Sequence, residues 1–334
     1  MAYQTGDTIL DDEYNVFATG LVGGGSTDSA NLNNVWGTGQ ADRGYGQSTV
    51  LSAVSAGQTV TATQWATLLA RITSAANHQG SSITAMASPS ATDIIEIIGA
   101  ISSNITTIHT NRLNKAGNGA TVSTNIDSTG SWSTQAQQIV TLTWSDPDEA
   151  RYFFNAGGYI IVNPSVTGYT DDAKARSWDA LTQMAGDVVF AAQGTTVSGE
   201  TNSITVTEAH TASSASVSTT IGYYDLTTSN QLIYEKVLTT SGSPYIAGAA
   251  NNIKVYAKSN GTQGSYSDNG TVVTLTIEYN DASTDQSFDK SDYTNLDIMD
   301  GTVRNQISEI PPSTSYLTQT WSSPAVALDS STHT

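Results

Sequence analysis

Residues 145–158 read SDPDEARYFFNAGG and place three carboxylates (Asp146, Asp148, Glu149) and one guanidinium (Arg151) within six positions. Two carboxylates held about 5–10 Å apart across a cleft can hydrolyse a glycosidic bond, one acting as acid and the other as base or nucleophile. A second acidic run, DQSFDKSDYTNLDIMDG, offers Asp285, Asp289, Asp292, Asp297 and Asp300 as hard oxygen ligands for Ca²⁺. Its likeness to an EF-hand loop is loose, because the alternating acids and the closing Glu are missing. Asp268, Asn269 and Gly270 read as a hairpin turn. The histidines, His78, His109, His210 and His333, stand in neither an HExxH nor a triad pattern, and no GxSxG occurs. The glycines of GLVGGGSTDS neither follow a strand nor open a helix, which argues against a dinucleotide site. There are no cysteines, so thiolate catalysis, disulfides and Cys-based zinc sites are excluded. No enzyme activity, no catalytic residue and no cofactor is expected. The aromatics Trp36, Tyr45, Tyr245 and Tyr266 lie in loops, where they can stack on sugars or anchor loops and interfaces.

Position along the chain gives the first acidic stretch a structural reading. Asp146 suits a helix N-cap, and Pro147 the first helical position, where a missing N–H costs nothing. Asp148 and Glu149 then sit at the positive end of the helix dipole. Ala150, Phe153 and Phe154 can face a core, and Gly157 suits the left-handed residue that closes the helix. QQIVTLTW before it and GYIIVNPSV after it read as strands, so the whole is strand–helix–strand. Arg151 is expected to tie to a neighbouring carboxylate or carbonyl.

Twelve basic residues against thirty acidic ones give a formal charge of −18. Scattered cations on so acidic a chain exclude nucleic acid as a partner, since phosphate binding needs clustered Lys and Arg. Charged residues make up only 13%, so Ser, Thr, Asn, Gln and Gly supply the polarity, as suits exposed β-structure. No apolar run reaches the length of a membrane span, so no membrane insertion is expected. The opening MAYQTGDTILDDEYNVF lacks the basic and apolar regions of a signal peptide, so synthesis in the cytoplasm is expected.

The chain reads as a multi-domain α+β protein. Residues 1–60 are irregular and Gly-rich, an extended docking or assembly segment with one short helix possible near Asp11–Ala18. Residues 61–116 form a two-helix module. Thr61 and Gln64 make a capping box for a helix with Trp65, Leu68, Leu69, Ile72 and Ala76 on one face, stopped by Gly80. In the next helix Ile94, Ile98, Ile101, Ile105 and Ile108 follow a heptad seam. Isoleucine at both seam positions favours three or more strands. Two arrangements stay open: a hairpin packed on Trp65–Ile72 of the same chain, or a seam between subunits. Residues 117–133 read as a polar linker, and 134–190 as a central strand–helix–strand–helix α/β module whose last helix covers 171–186. From 191 to 334 short period-two runs separated by turn residues predict an antiparallel β-sandwich with an extended C-terminal arm or edge strand.

DPDEARYFFNAGGYIIV, NLNNVWGTGQADRGYGQS with VTATQWATLLARI, and NGTQGSYSDNGTVVTLTIEYND together carry a resemblance. The chain resembles structural, tail- or baseplate-associated proteins of tailed bacteriophages, especially phages of marine cyanobacteria. The resemblance implies a virion component and brings no catalytic residue with it. The expected function is that of a homo-oligomeric tail, baseplate or fibre protein, a trimer by its isoleucine seam, in contact with other virion proteins. Ile94, Ile98, Ile101, Ile105, Ile108, Trp36 and Tyr45 are the expected interface residues. Alternatives are a glycan-binding module at a fibre tip that touches host surface polysaccharide, a depolymerase, and a capsid decoration or head–tail connector protein.

Overall fold

The computed structural model describes residues 11–20, 30–39, 43–87, 98–114, 119–240, 250–261, 270–282 and 298–334. Four helices come first: α1 (Asp11–Thr19), α2 (Asn33–Trp36), α3 (Ala62–Gln79) and α4 (Ile98–Thr110). They are followed by β1 (Val122–Thr129), β2 (Gln135–Thr143), α5 (Pro147–Asn155), β3 (Tyr159–Thr167) and α6 (Ala173–Ala185). Ten strands complete the described chain: β4 (Asp187–Phe190), β5 (Thr195–Ser198), β6 (Ser203–Val206), β7 (Glu208–Ala212), β8 (Ser216–Val217), β9 (Gln231–Thr240), β10 (Asn252–Ser259), β11 (Val272–Asn280), β12 (Thr302–Ile310) and β13 (Ala325–His333). The fold is mixed α+β, with more strand than helix, and both sheets are antiparallel. The smaller sheet runs β1-β12-β3-β4-β5; the larger runs β13-β2-β11-β10-β9-β7-β6, with β8 also on β9.

Local chemistry accounts for several elements. At the start of α3 the Thr61 hydroxyl accepts from the Gln64 amide at 3.2 Å, and the Gln64 side chain accepts from the Thr61 amide at 2.8 Å. Gly80 ends that helix at φ +67°, where only glycine is unstrained. Asp172 caps α6 by accepting from the Ala175 amide at 2.8 Å. Period-two alternation turns Ile253, Val255 and Ala257 of β10, and Val273, Leu275 and Ile277 of β11, into one apolar face. Helix α6 packs on β3 of one sheet and on β6, β7, β9 and β10 of the other. Its Trp178 is fully buried, with ring centroids 4.6 Å from Trp132 and 6.0 Å from Tyr279. Beside it a closed polar network joins the sheets. Tyr279 donates to Asn305 at 3.0 Å, and Asn305 donates to Gln138 at 2.8 Å. Gln138 in turn donates to the Val303 carbonyl at 2.9 Å. Every member of this chain has a partner, which is the condition for burying it at little cost.

Three expectations are corrected. Residues 117–133 are not simply a linker, because Val122–Thr129 form β1 and pair along their full length with β12. Their hydroxyls, read as loop chemistry, bond across the strands: Ser123 to Ser308 and Thr129 to Thr302, each at 2.8 Å. Second, the strands on either side of α5 do not make a module of their own. β2 lies between β13 and β11 in one sheet and β3 between β12 and β4 in the other, so α5 is a corner between sheets. Strands from either side of residue 190 therefore share both sheets and one hydrophobic core. Third, SVSTTIGYYDLT, one of the period-two runs after residue 191 from which strands are expected, contributes only the two-residue β8 and a 3-10 turn at Tyr223–Asp225.

The N-terminal segment also differs from expectation. Its described residues fold against their own chain, with Tyr14, Leu32, Val35, Leu51 and Val54 all buried in the core. Carboxamide side chains supply the order that secondary structure would otherwise give. Asn15 donates to the Val54 carbonyl at 2.8 Å and accepts from the Val54 amide at 2.7 Å. Asn33 makes the same two-bond clasp on Leu51, Asn104 on Thr84, and Gln47 on Thr318. An amide side chain presents one donor and one acceptor side by side, so it substitutes for a neighbouring strand at a single residue. Extended segments with no ladder are held this way at four points.

Candidate functional site

Helix α5 places every residue of the first acidic stretch. The Asp146 carboxylate caps it, accepting from the Asp148 amide at 2.7 Å, and Pro147 takes the first helical position. Asp148 pairs with Arg151 at 2.5 Å. Glu149 accepts from the Ser145 hydroxyl and, at 2.8 Å, from the Ser322 hydroxyl, which ties the helix start to the segment leading into β13. All three carboxylates thus hold local structural partners. Arg151 is buried, with its guanidinium carbon 5.1 Å from the Tyr152 ring centroid. Phe153 and Phe154 are fully buried and pack on Trp144 at 5.7 and 5.6 Å. Phe154 also stacks on Tyr223 at 4.4 Å. Gly157 follows the helix at φ +93°, in the left-handed region.

The N-terminal segment packs on the C-terminal end of this helix. Asn155 is fully buried; it donates to the Gly44 carbonyl at 2.7 Å and accepts from the Tyr224 hydroxyl at 2.6 Å. Gly46, at φ +68°, sits so close that a Cβ there would fall 2.4 Å from the Tyr152 ring. The Tyr152 hydroxyl lies 3.1 Å from that of Thr38. Two of the three stretches that carry the family resemblance are therefore packing partners. Nothing local in the sequence pointed to this contact; its one trace is a carboxamide, Asn155, ending an otherwise aromatic buried run.

The remaining candidate residues are dispersed. Trp36 and Tyr45, expected at an assembly interface, are instead core residues, 8% and 0% exposed. The Trp36 indole donates to Thr49 at 3.2 Å, and the Tyr45 hydroxyl accepts from Gln79 at 2.8 Å. Their polar atoms are satisfied inside the chain, so each ring can be buried. Ile101, Ile105 and Ile108 are likewise buried within the chain, where α4 packs on α3. This is the hairpin arrangement, and the trimer expectation loses these three as its seam. Ile94 lies outside the described residues, and only the backbone of Ile98 is described. Of the acidic run, Asp285, Asp289, Asp292 and Asp297 lie outside the described residues. Both Asp300 oxygens are taken by Thr170, from its amide and its hydroxyl at 2.7 Å, which holds the carboxyl below its ordinary range. Among the described residues no group of three His, Cys, Asp or Glu side chains is placed to hold a metal ion. His78 sits edge-on to Tyr45 at 5.2 Å, with Nε2 2.9 Å from the Ala156 carbonyl, and burial pushes its imidazole below its ordinary value.

Compared with known protein families, curated proteins and solved structures, the chain matches none. The reading of its sites therefore rests on geometry and on the sequence motifs.

One concave site went unseen in the sequence. A cleft of about 430 Å³ with a mixed polar and apolar lining opens between β3, α6 and the turns at Gly186 and Gly199. Asn163, Ser165, Asp179, Gln183, Asp187 and Ser198 line it. Asn163 donates to Asp187 at 2.8 Å, and Asp179 bonds the Tyr169 hydroxyl, whose pKa is pushed up to about 12, chiefly by burial and then by that carboxylate. Amides, hydroxyls and carboxylates in this mixture can bind a polyhydroxylated ligand by hydrogen bonds. The lining comes from three separated stretches, each read in the sequence as strand, helix or turn polarity. No helix among the described residues is long and apolar enough to cross a membrane.

Proposed function

We propose that this chain is a structural component of a tailed-phage virion, a homo-oligomeric tail, baseplate or appendage protein that acts through assembly contacts and not through catalysis. The observation that carries the reading is the free edge of the larger sheet. β13 pairs with β2 on one side only, and most of its side chains are exposed, including Leu328 at 38%. Its neighbour β1 is the free edge of the smaller sheet, and the two edges meet where Ser128 bonds His333 at 3.1 Å. Among the described residues no strand lies on the outer side of this nine-residue edge, which a bulge interrupts between Leu328 and Ser330, and such an edge is a template for a strand from another chain. The capping roles of Asp146, Asp148 and Glu149 support the non-catalytic part, and the phage-like motifs support the setting. The test is to raise antibodies against the purified chain and label tailed-phage particles whose genomes encode it. Labelling of tail, baseplate or fibre is expected; labelling confined to the head would move the protein to a capsid decoration or connector role. Unlabelled particles from which the chain is also missing by mass spectrometry would refute the reading.

The cleft between β3 and α6, where amides, hydroxyls and carboxylates stand beside Pro164 and Ile204, favours a second reading, a glycan-binding module. Binding to host polysaccharide that is lost on Asp187→Ala would establish it. No binding by the parent protein would dismiss it.

A further inference from the structure

We propose that Lys236 and Asn202 join in an intramolecular isopeptide bond, with Glu200 as the group that moves the proton. Lys236 lies on β9 and is fully buried. Its Nζ is 2.8 Å from Asn202 Oδ1 and 2.9 Å from Glu200 Oε2. An amine, a carboxamide and a carboxylate in mutual hydrogen-bond reach are the nucleophile, the electrophile and the base of an amide exchange. The chain has no cysteine, and such a bond is a covalent staple that needs none.

The fold fixes each of the three. Tyr234 and Leu238, two residues to either side of Lys236 and so on its face of the strand, are buried, as is Ile253, its cross-strand partner on β10. The lysine stem therefore runs through apolar surroundings to a polar tip. Glu200 and Asn202 come from the connection between β5, an edge of the smaller sheet, and β6, an edge of the larger. Glu200 Oε2 also accepts from the Ala215 amide at 3.0 Å, and the Asn202 carbonyl accepts from the Ala212 amide at 3.0 Å. Asn202 Nδ2 donates to Ser214 Oγ at 3.1 Å, so its oxygen faces the amine and its leaving nitrogen faces Ser214. Asn202 is exposed, which gives the ammonia a way out.

The Glu200 carboxylate takes a proton from the Lys236 ammonium, and the free amine attacks Asn202 Cγ. Oδ1 is one carbonyl bond, about 1.2 Å, from Cγ, so Nζ stands within about 4 Å of the carbon it attacks. As the Nζ–Cγ bond forms and the Cγ–Nδ2 bond breaks, Glu200 gives its proton to Nδ2 and takes a second from Nζ. Ammonia leaves, takes that proton and goes out as ammonium, which returns Glu200 to a carboxylate. No oxidant or other co-reactant is used. The reaction runs once per chain, so a slow step is enough. The bond fixes what the ladder leaves loose, because β7 pairs with β9 only at Thr211 and Ala212, with a register shift between them.

Intact-mass spectrometry of the full chain, incubated for hours to days at neutral and mildly alkaline pH, tests this. A mass below that of the sequence by one ammonia is expected, with a branched peptide joining Lys236 to Asn202 in the digest. The Asn–Gly pairs at Asn118, Asn260 and Asn269 can also lose ammonia, as succinimides, but hydroxylamine opens those and leaves an isopeptide bond intact. Glu200→Gln should slow formation by about 100-fold or more, the usual share of a proton-transfer group. Asn202→Ala should abolish the branched peptide, and Lys254→Met, at an amine 3.4 Å from Glu235, should leave it in place. Circular dichroism matched to the parent identifies the folded variants. A parent chain with no branched peptide after days, or one whose only ammonia loss is reversed by hydroxylamine, would overturn the proposal. Formation at the parent rate in folded Glu200→Gln would overturn the role of Glu200.

Discussion

Asn155 gives the most direct test of how the N-terminal segment is attached. Its amide is fully buried, with one bond of 2.7 Å to Gly44 and one of 2.6 Å from Tyr224. Asn155→Ala removes both and strands a backbone carbonyl and a phenol hydroxyl in the interior. Each stranded group costs about 1–3 kcal/mol. Tyr224 is 9% exposed and its hydroxyl can turn toward water, so the lower half of the range applies to it. The expected loss is about 2–5 kcal/mol. Tyr224→Phe removes one bond only and should cost about 1–2 kcal/mol, and the double variant should cost less than the sum, since the two changes share that bond. Urea unfolding at fixed pH, with the m-value checked for constancy, measures all three. An Asn155→Ala variant within about 0.5 kcal/mol of the parent, the range of an ordinary surface change, would refute the clasp as a source of stability. The Asp variant sharpens the test. It keeps an acceptor for Tyr224 but sets a second oxygen against the Gly44 carbonyl. It should be at least as unstable as Ala at neutral pH and recover on acidification, when the acid can donate.

Asn15→Ala should release the extended stretch around Val54, seen as faster proteolytic cleavage between residues 48 and 60 at a cost of about 1–3 kcal/mol in global unfolding; unchanged cleavage would count against the clasp. His78 is favoured neutral in the fold, because burial lowers its pKa and outweighs the Ala156 bond. Its contribution is therefore complete above the ordinary histidine value of about 6.5 and is lost as the pH falls through the lowered folded value. Unfolding curves at several pH values should show that loss for the parent and a flatter profile for His78→Gln. The buried pair Lys174–Asp281, at 2.5 Å, predicts that Lys174→Met alone costs about 3–5 kcal/mol by leaving a buried carboxylate uncompensated. Replacing both, with Asp281→Leu, should restore much of it, and a double variant no better than the single would refute that account.

Much of the local structure was legible in the sequence. The capping box of Thr61 and Gln64, the Asp146–Pro147 start and Gly157 close of α5, and the alternation in β10 and β11 depend on groups within a few residues of one another. Cross-chain roles were not legible. The Ser and Thr of β1 looked like linker chemistry because their partners on β12 lie more than 170 residues away. The isoleucines of α4 were consistent with two partners, and only packing chose between a sister helix and another subunit.

By itself the sequence determined which segments turn, coil or alternate, and that the three acids opening α5 suit a helix start. Those are short-range effects, set by dihedral preference, capping and periodicity. The tertiary structure alone decided that the described residues of the N-terminal stretch fold back on α5, and that Trp36 and Tyr45 are core. The physical reason is that a carboxamide or guanidinium has no fixed role in one dimension. Its energy depends on what the fold sets opposite it, and for Asn155 that is Gly44, 111 positions earlier.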